Sequence, residues 1–281
     1  MKITRKKINN ILSLIPKQAK CCYTGQSILA YCPDPTFSFE EVNSWEDETD
    51  VDIFAYNQQT QASLVQLFIS NGWTPANEIE EFKANRIRFW QANSKFSLQT
   101  VKLVKPDYPI LNISWRKNQE SAMDIITGFD MDYLMVALDL STRVYSDLRP
   151  ENKHIAHVNP YNARFDPDSV DSAYWYRQFE RCPKAWSRGI DSRPVAEQYA
   201  RWIENTLEKG DLSINSKTRE YAERAMHEAI SVMLQSGFTQ EQSESLYHMV
   251  RGEDTTWDAM KIQHTAMLHR ITQWLDSVKE D

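Results

Sequence analysis

The amino-acid sequence predicts an α+β protein, in which a mixed β-sheet packed against helices is followed by a helical region. Up to about residue 170, the apolar pattern changes repeatedly between helical and strand spacing, in the order helix, strand, helix, strand, helix, hairpin, helix, strand. Beyond that point, long stretches repeat with a period of about 3.6 residues. We therefore expect an α/β domain over residues 1–170 and a helical domain over residues 171–281.

The composition is that of a globular protein with a sizeable core. The chain has 281 residues, of which 41% are hydrophobic, and no linker rich in proline, glycine or serine interrupts it. The net charge of −7 argues against a surface that binds nucleic acid along its whole extent, although it is compatible with a local basic groove. No apolar stretch reaches the roughly 20 residues that span a bilayer. These features predict a cytoplasmic protein that does not contact a membrane.

The four cysteines are typical of a protein that keeps its thiols reduced. Cys21 and Cys22 are adjacent, Cys32 and Cys182 are isolated, and no Cys-x-x-Cys spacing occurs. Because zinc and redox sites normally use such a spacing, we expect buried free thiols instead.

The first elements alternate between helix and strand. Apolar residues recur at helical spacing over residues 4–16, and residues 20–24 are typical of a short strand. Gly25 then turns the chain, and Ser27 can begin a second helix.

The next segments extend the sheet. An acidic loop leads into a strand that carries Asp50 and Asp52, and residues 59–71 have the pattern of an amphipathic helix. Residues 87–91 and 98–104 alternate apolar and polar side chains around a short polar turn, which predicts a hairpin.

The remaining elements complete the sheet and build the helical domain. We expect a helix over about residues 120–127, a strand over residues 129–139 and a strand over residues 143–145. Five helices are expected after them, over residues 172–186, 195–208, 217–236, 240–250 and 255–278.

Asp50 and Asp52 are the most informative residues of the chain. Side chains two positions apart on a strand point to the same side, with their backbones roughly 6.5 Å apart. From that distance two carboxylates can converge on one or two hard cations. A carboxylate pair on a strand is often just a solvated surface, so the prediction of a site also depends on the turn at Gly25 and on Asp130 and Asp132 downstream.

Taken in order, these segments resemble the DNA polymerase beta-type nucleotidyltransferase superfamily, and more narrowly the nucleotidyltransferase-like proteins of large DNA viruses and phages. In that superfamily a glycine turn opens a helix beneath the triphosphate, an Asp-x-Asp strand binds two magnesium ions, and a neighbouring strand supplies a third carboxylate. The resemblance covers about residues 20–190 and implies a nucleotidyltransferase-like fold for the first domain.

The resemblance implies a metal site and a nucleotide site. Mg²⁺, with Mn²⁺ as the alternative, would be held by catalytic acids at Asp50, Asp52 and Asp130, with Asp132 as the substitute for the third acid. A nucleoside triphosphate would be contacted at the helix start by Gly25, Gln26 and Ser27, with added positive charge from Lys102 or Arg188.

Two functions of different classes follow from this resemblance. The first is a magnesium-dependent enzyme that moves a nucleotidyl group from a nucleoside triphosphate such as ATP to an RNA end, a protein hydroxyl or a small molecule. The second is a nucleotidyltransferase-like scaffold without turnover that binds a host protein or a nucleotide, as a phage effector in the host cytoplasm would. Gln26 motivates the second, because the family has a small residue where the backbone approaches phosphate. A virion-associated structural protein is a third possibility.

Overall fold

The protein is described by a computed structural model that covers residues 2–45, 50–76, 98–161, 172–209 and 257–279. The chain divides into two compact units, which comprise residues 1–154 with 159–162, and residues 155–158 with 163–281. Strands form the sheet of the first unit, and long helices build the second. The predicted α+β class is confirmed. Within the described ranges, every helix is too short or too polar to cross a lipid bilayer.

The first unit contains one mixed sheet. Its strands are β1 (Cys21–Thr24), β2 (Val51–Ala55), β3 (Thr74–Pro75), β4 (Leu98–Val104), β5 (Leu111–Arg116), β6 (Val136–Asp139) and β7 (Tyr145–Asp147). They lie in the order β3-β4-β5-β2-β1-β6-β7. Strands β2 and β5 run parallel, and the other neighbouring pairs run antiparallel.

Helices precede or connect these strands. They are α1 (Arg5–Leu14), α2 (Ile28–Tyr31), α3 (Phe39–Ser44), α4 (Gln58–Ser70) and α5 (Ala122–Thr127). Four of them begin at a polar side chain that accepts a hydrogen bond from the first turn of the helix, which satisfies an otherwise free N–H group. These capping residues are Thr4, Ser38, Asn57 and Ser121.

Helix α5 defines the face of the sheet that carries the acids. Ile125 and Ile126 of this helix belong to a buried cluster that includes Phe54 of β2 and Ala137 of β6. Because side chains on a strand alternate between faces, Asp52 lies on the same face as Phe54, two residues along the strand. The acids therefore stand beside the apolar layer that α5 covers.

Strand β5 was not predicted from the sequence. It pairs with β4 over six residues, from Leu98 opposite Arg116 to Leu103 opposite Leu111. The predicted hairpin partner of β4, residues 87–91, lies outside the described residues. The pattern Leu-Asn-Ile-Ser-Trp-Arg of β5 alternates apolar and polar side chains, so the signal for a half-buried strand was present.

The predicted strand over residues 129–139 is wrong in its first half. Asp132–Leu134 forms a 3₁₀ turn, and only Val136–Asp139 is a strand. Asn159 accounts for the difference at the start of this segment, since its Nδ2 donates to the carbonyl oxygen of Phe129 at 2.7 Å and its backbone N–H donates to that of Asp130 at 3.1 Å. Backbone carbonyls that a strand would offer to a neighbouring strand are satisfied by Asn159 instead. The two acids at 130 and 132 therefore do not share a strand face.

The second unit is helical in its described part. Its helices are α6 (Ser172–Trp186), α7 (Arg193–Lys209) and α8 (Trp257–Ser277), which confirms three of the five predicted helices. The other two, over residues 217–236 and 240–250, lie outside the described residues. Trp175 of α6 stacks on Tyr199 of α7 with ring centroids 5.7 Å apart, and Phe179 meets Trp274 of α8 edge-on at 5.9 Å.

Met267 and Ile271 of α8 are buried, and Trp274 and Leu275 of the same helix are half-buried. The predicted burial of the cysteines is confirmed. All four cysteines are buried and free.

Candidate active site

The structure brings Asp50 and Asp52 together with a third polar side chain, Asn112 of β5. The amide Nδ2 of Asn112 donates to Oδ2 of Asp50 at 2.5 Å and to Oδ1 of Asp52 at 3.0 Å. One amide nitrogen can reach both carboxylates only if they face the same side. The carboxylate pair is therefore a compact group at the start of β2, in the interior of the sheet.

Strand register places these side chains in one row. Asp52 stands opposite Thr24 of β1 and opposite Asn112 of β5, and Asn112 stands opposite Lys102 of β4. Residues directly opposite one another on neighbouring strands lie on the same face of a sheet. Thr24, Asp52, Asn112 and Lys102 therefore form a polar row across four strands.

The carboxylate pair is electrostatically strained without a cation. Removal from water, and then the negative charge of Asp50, raise the pKa of Asp52 above its usual range. The hydrogen bond from Asn112 and the positive charge of Lys102 lower that pKa, but they do not compensate. A positive charge bound between the acids would relieve the repulsion. Lys102 lies in the electrostatic reach of Asp52, and its contact with a triphosphate stays a prediction.

Gly25 lies directly against Asp52. Its φ is +81°, which favours glycine, and a Cβ built on it would overlap Oδ2 of Asp52 and lie 2.9 Å from its Cγ. The family resemblance places this glycine at the turn beneath the triphosphate. The structure gives it a further role, because its missing side chain leaves the space that the Asp52 carboxylate occupies.

Ser27 and Gln26 follow this turn in different environments. The hydroxyl of Ser27 is fully buried and accepts a hydrogen bond from the Tyr23 hydroxyl at 2.9 Å, so its described partner is internal. Helix α2, which begins after Ser27, has only four residues. Gln26 is half-buried. Contacts of Gly25, Gln26 and Ser27 with a triphosphate stay predictions.

The two predicted third acids lie in the loop that leads into β6. Asp130 and Asp132 are both buried, and the backbone N–H of Asn159 donates to the carbonyl oxygen of Asp130 at 3.1 Å. The preceding Phe129 packs edge-on against Phe54 with centroids 6.2 Å apart, which brings the loop to the face that carries Asp52. The role of Asp130, or of Asp132 in its place, as the third acid of the metal site stays a prediction.

The donor set suits a hard divalent cation. Carboxylate and amide oxygens are the ligands that Mg²⁺ and Mn²⁺ prefer, and Oδ1 of Asn112 is buried beside the acids without a hydrogen-bond partner. Asp50 and Asp52 would hold the ion, which would neutralise phosphate charge. In the described part of the chain, no group of three or more His, Cys, Asp or Glu side chains is placed to hold a metal ion.

Arg188 lies in the second unit, just after α6. It is 6% exposed, and Gly189 follows it with a φ of +76° at the end of the helix. Its proposed contact with the triphosphate stays a prediction.

Sequence reasoning missed two residues of this region, Asn112 and Asn159. The alternation of β5 could have identified a half-buried strand at residues 111–116, but not that this strand lies beside β2 and brings Asn112 to the acids. Asn159 has no comparable signal, because it follows no periodic pattern and acts through the backbone of residues more than 25 positions away.

No protein-family model matches the chain, and no curated protein matches it in sequence. Among solved structures, a tRNA-processing enzyme in an apo form is 12% identical at a TM-score of 0.38, over 100% of this chain and 81% of that one. A CCA-adding enzyme of Thermotoga maritima complexed with tRNA is 11% identical at a TM-score of 0.36, over 98% of this chain and 71% of that one. Both scores are low, so neither likeness supports a conclusion about the activity of this chain.

Proposed function

We propose that the protein transfers a nucleotidyl group from a nucleoside triphosphate to an acceptor hydroxyl with the help of a divalent cation. The observation that carries this proposal is the convergence of Asp50 and Asp52, bridged by one amide of Asn112. A pair of partly buried acids at an electrostatic cost is rarely kept for stability, and such strain is typical of functional sites.

The site can supply the charge neutralisation and alignment that nucleotidyl transfer needs. Nucleotidyl transfer depends on charge neutralisation and alignment more than on covalent help from the protein. Asp50 and Asp52 would hold the cation that accompanies the triphosphate and would orient it on the sheet. Lys102, on the same polar row, would add positive charge toward the phosphates.

The proposed reaction balances without a further reactant. The acceptor hydroxyl oxygen forms a bond to the α-phosphorus of the triphosphate, and the bond from that phosphorus to the bridging oxygen of the β-phosphate breaks. Pyrophosphate leaves with the electron pair of that bond, and the hydroxyl proton passes to water. The acceptor can be an RNA end, a protein hydroxyl or a small molecule.

The test measures transfer of label. Full-length protein is incubated with each of the four α-labelled triphosphates, Mg²⁺ or Mn²⁺, and RNA, protein extract or small metabolites as acceptors. We expect wild type to label one acceptor class, and the double variant Asp50→Asn with Asp52→Asn to lose at least about a hundredfold in rate. Equal labelling by wild type and the double variant, or no labelling by either, would overturn the proposal.

A binding role without turnover is the second candidate function. Two contacts favour it: Asn112 donates a hydrogen bond to each carboxylate without a cation, and the Ser27 hydroxyl accepts one from Tyr23. Such a scaffold would bind a nucleotide or a host protein. Equilibrium binding of a nonhydrolysable triphosphate, with no transfer to any acceptor, would favour this role over the first.

A further inference from the structure

Beside the carboxylate pair, one side-chain atom of Asn112 is hydrogen-bonded and the other is not. Its Nδ2 donates to Asp50 and Asp52, whereas its Oδ1 has no hydrogen-bond partner although the residue is only 8% exposed. A buried acceptor without a donor is costly, and most such groups in proteins are paired. The unpaired oxygen therefore has no hydrogen bond to lose if it becomes a ligand.

A half-turn of the amide would exchange the two ends. The nitrogen and oxygen of an asparagine occupy nearly equivalent positions about the bond between Cβ and Cγ, so the exchange needs no backbone movement. Oxygen would then face Asp50 and Asp52, which is repulsive when nothing lies between them. With a divalent cation in that place, the same three oxygens become ligands.

We propose that Asn112 is the third oxygen ligand of a divalent cation held by Asp50 and Asp52, and that its amide turns from nitrogen-facing to oxygen-facing when the ion binds. The site is that of the proposed function and to this extent rests on it. The inference concerns the cation alone, however, and does not require that any nucleotide be transferred.

The strand register supports this role. Asn112 stands directly opposite Asp52 in the parallel pairing of β2 with β5, and its neighbours Leu111 and Ile113 are fully buried. A shift of register would move those side chains out of the core, so the position of the amide relative to the acids is fixed. A half-turn of the amide about its own bond leaves this register unchanged.

The charge of the ligand set predicts a moderate affinity. Two carboxylates and one neutral amide carry less negative charge than three carboxylates, and the affinity of a hard cation rises with the number of charged ligands. The nitrogen-facing amide also has to give up its two hydrogen bonds before the ion binds. An acid at position 112 would remove both limits.

The first experiment measures Mn²⁺ binding to the metal-free full-length chain, by calorimetry and by the electron paramagnetic resonance signal of free Mn²⁺. We expect Asn112→Ala to weaken binding by at least about tenfold and Asn112→Asp to tighten it. Ser114→Ala is the matched control. Ser114 lies on the same face of β5, is 3% exposed and loses a bond to Thr100, so its substitution should leave the affinity unchanged.

The second measurement needs no variant. The side-chain amide resonance of Asn112 in wild type, assigned through its backbone, should shift when diamagnetic Mg²⁺ saturates the site, because its hydrogen bonds to the acids are lost. An unchanged resonance at saturation, or an Asn112→Ala variant that binds Mn²⁺ as tightly as wild type, overturns the inference.

The outcomes separate this inference from the proposed function. If the protein binds Mn²⁺ through Asn112 but labels no acceptor, Asn112 is a cation ligand and the proposed transferase activity is rejected. If labelling depends on Asp50 and Asp52 but Asn112→Ala leaves the Mn²⁺ affinity unchanged, the transferase activity is supported. The role of Asn112 as a cation ligand is then rejected.

Discussion

Asn112 of β5 stands directly opposite Asp52 of β2, and its amide donates to that carboxylate at 3.0 Å. The site is thus assembled by the register of two parallel strands and not by a mobile loop. Register depends on the buried side chains of the opposite face, which small polar substitutions at the site leave in place. Variants at these positions therefore report on the chemistry of the group more than on folding.

Gly25→Ala should cost more stability than Gly72→Ala. Both glycines have φ near +80°, where alanine is strained by about 1–2 kcal/mol. A Cβ at Gly25 would overlap Oδ2 of Asp52, whereas at Gly72 the nearest atom is Nζ of Lys105 at 3.9 Å. We expect about 1 kcal/mol for Gly72→Ala and roughly 3 kcal/mol or more for Gly25→Ala in urea denaturation. Equal losses would mean that Asp52 moves aside freely.

Asp52→Asn should stabilise the cation-free protein while it removes function. The neutral amide ends the repulsion by Asp50 and the partial burial of a charge, which we expect to be worth about 1–3 kcal/mol. Denaturation in a buffer with chelator measures this gain. Asp107→Asn, in the exposed turn after β4, is the control and should change the stability little. A loss of stability in Asp52→Asn would show that the acid pair is not strained.

The same acid predicts a pH dependence of the wild type. Its pKa is raised in the folded protein, so the folded state holds a proton that the unfolded chain releases. Stability should therefore fall as the pH rises from the ordinary carboxyl range through the raised pKa. Asp52→Asn should show a smaller fall over the same range. Parallel pH profiles for the two proteins would contradict the electrostatic account of the pair.

Arg149→Met should be strongly destabilising. The side chain of Arg149 is fully buried, and its guanidinium donates to Asp147 at 2.6 Å, to the Thr36 hydroxyl at 2.7 Å and to the carbonyl oxygen of Asp34 at 3.0 Å. Loss of one partner from such a buried network costs about 3–5 kcal/mol. Arg193→Met is the control, because Arg193 pairs with Asp191 in the same way while 39% exposed, so its loss should cost far less stability than the loss of Arg149.

The Asp147–Arg149 pair also has a pH signature. Burial alone would raise the pKa of Asp147, but the hydrogen bonds and the charge of Arg149 outweigh it and lower that pKa. The stability that the pair contributes is present above the ordinary carboxyl range and is lost as the pH falls through the lowered pKa. The gap between wild type and Asp147→Asn should therefore narrow below about pH 4. A gap that stays constant down to acid pH would contradict this.

Asn159→Ala should loosen the loop that carries Asp130. It leaves the carbonyl oxygens of Thr127 and Phe129 without their donor, at a cost of about 2 kcal/mol or more. Asn159→Asp should be worse, since a carboxylate would face those carbonyl oxygens. Faster amide hydrogen exchange at residues 128–132 measures the loosening. Asn71→Ala, which removes one exposed bond at the end of α4, should leave that exchange unchanged.

The extent to which sequence predicted the structure varies with the kind of element. Helices with long apolar repeats were predicted well: α4 within one residue of both its ends, and α6 and α8 within one residue of their C-terminal ends. The segment at 129–135 was mistaken for strand, because its apolar run fits a strand and the competing amide of Asn159 is not visible locally. Strand β5 was overlooked despite a clear alternation.

The site likewise has one part that local spacing predicted and another that depends on strand pairing. The spacing of Asp50 and Asp52 was enough to predict two carboxylates on one side of a strand, since the pleat fixes the direction of alternate side chains. The bridging amide could not be predicted, because Asn112 is 60 residues from Asp52 and reaches it only through the pairing of β2 with β5. Lys102 joins the row through a second pairing, of β4 with β5.

The sequence by itself determined the α+β class, the main helices and the pair of acids, because each depends on the periodicity of nearby residues. Only the tertiary structure decided which strands are neighbours, that Gly25 leaves room for Asp52, and that Asn112 lies between the acids. Those facts depend on the register and packing of distant segments, which the buried side chains of the whole sheet fix together.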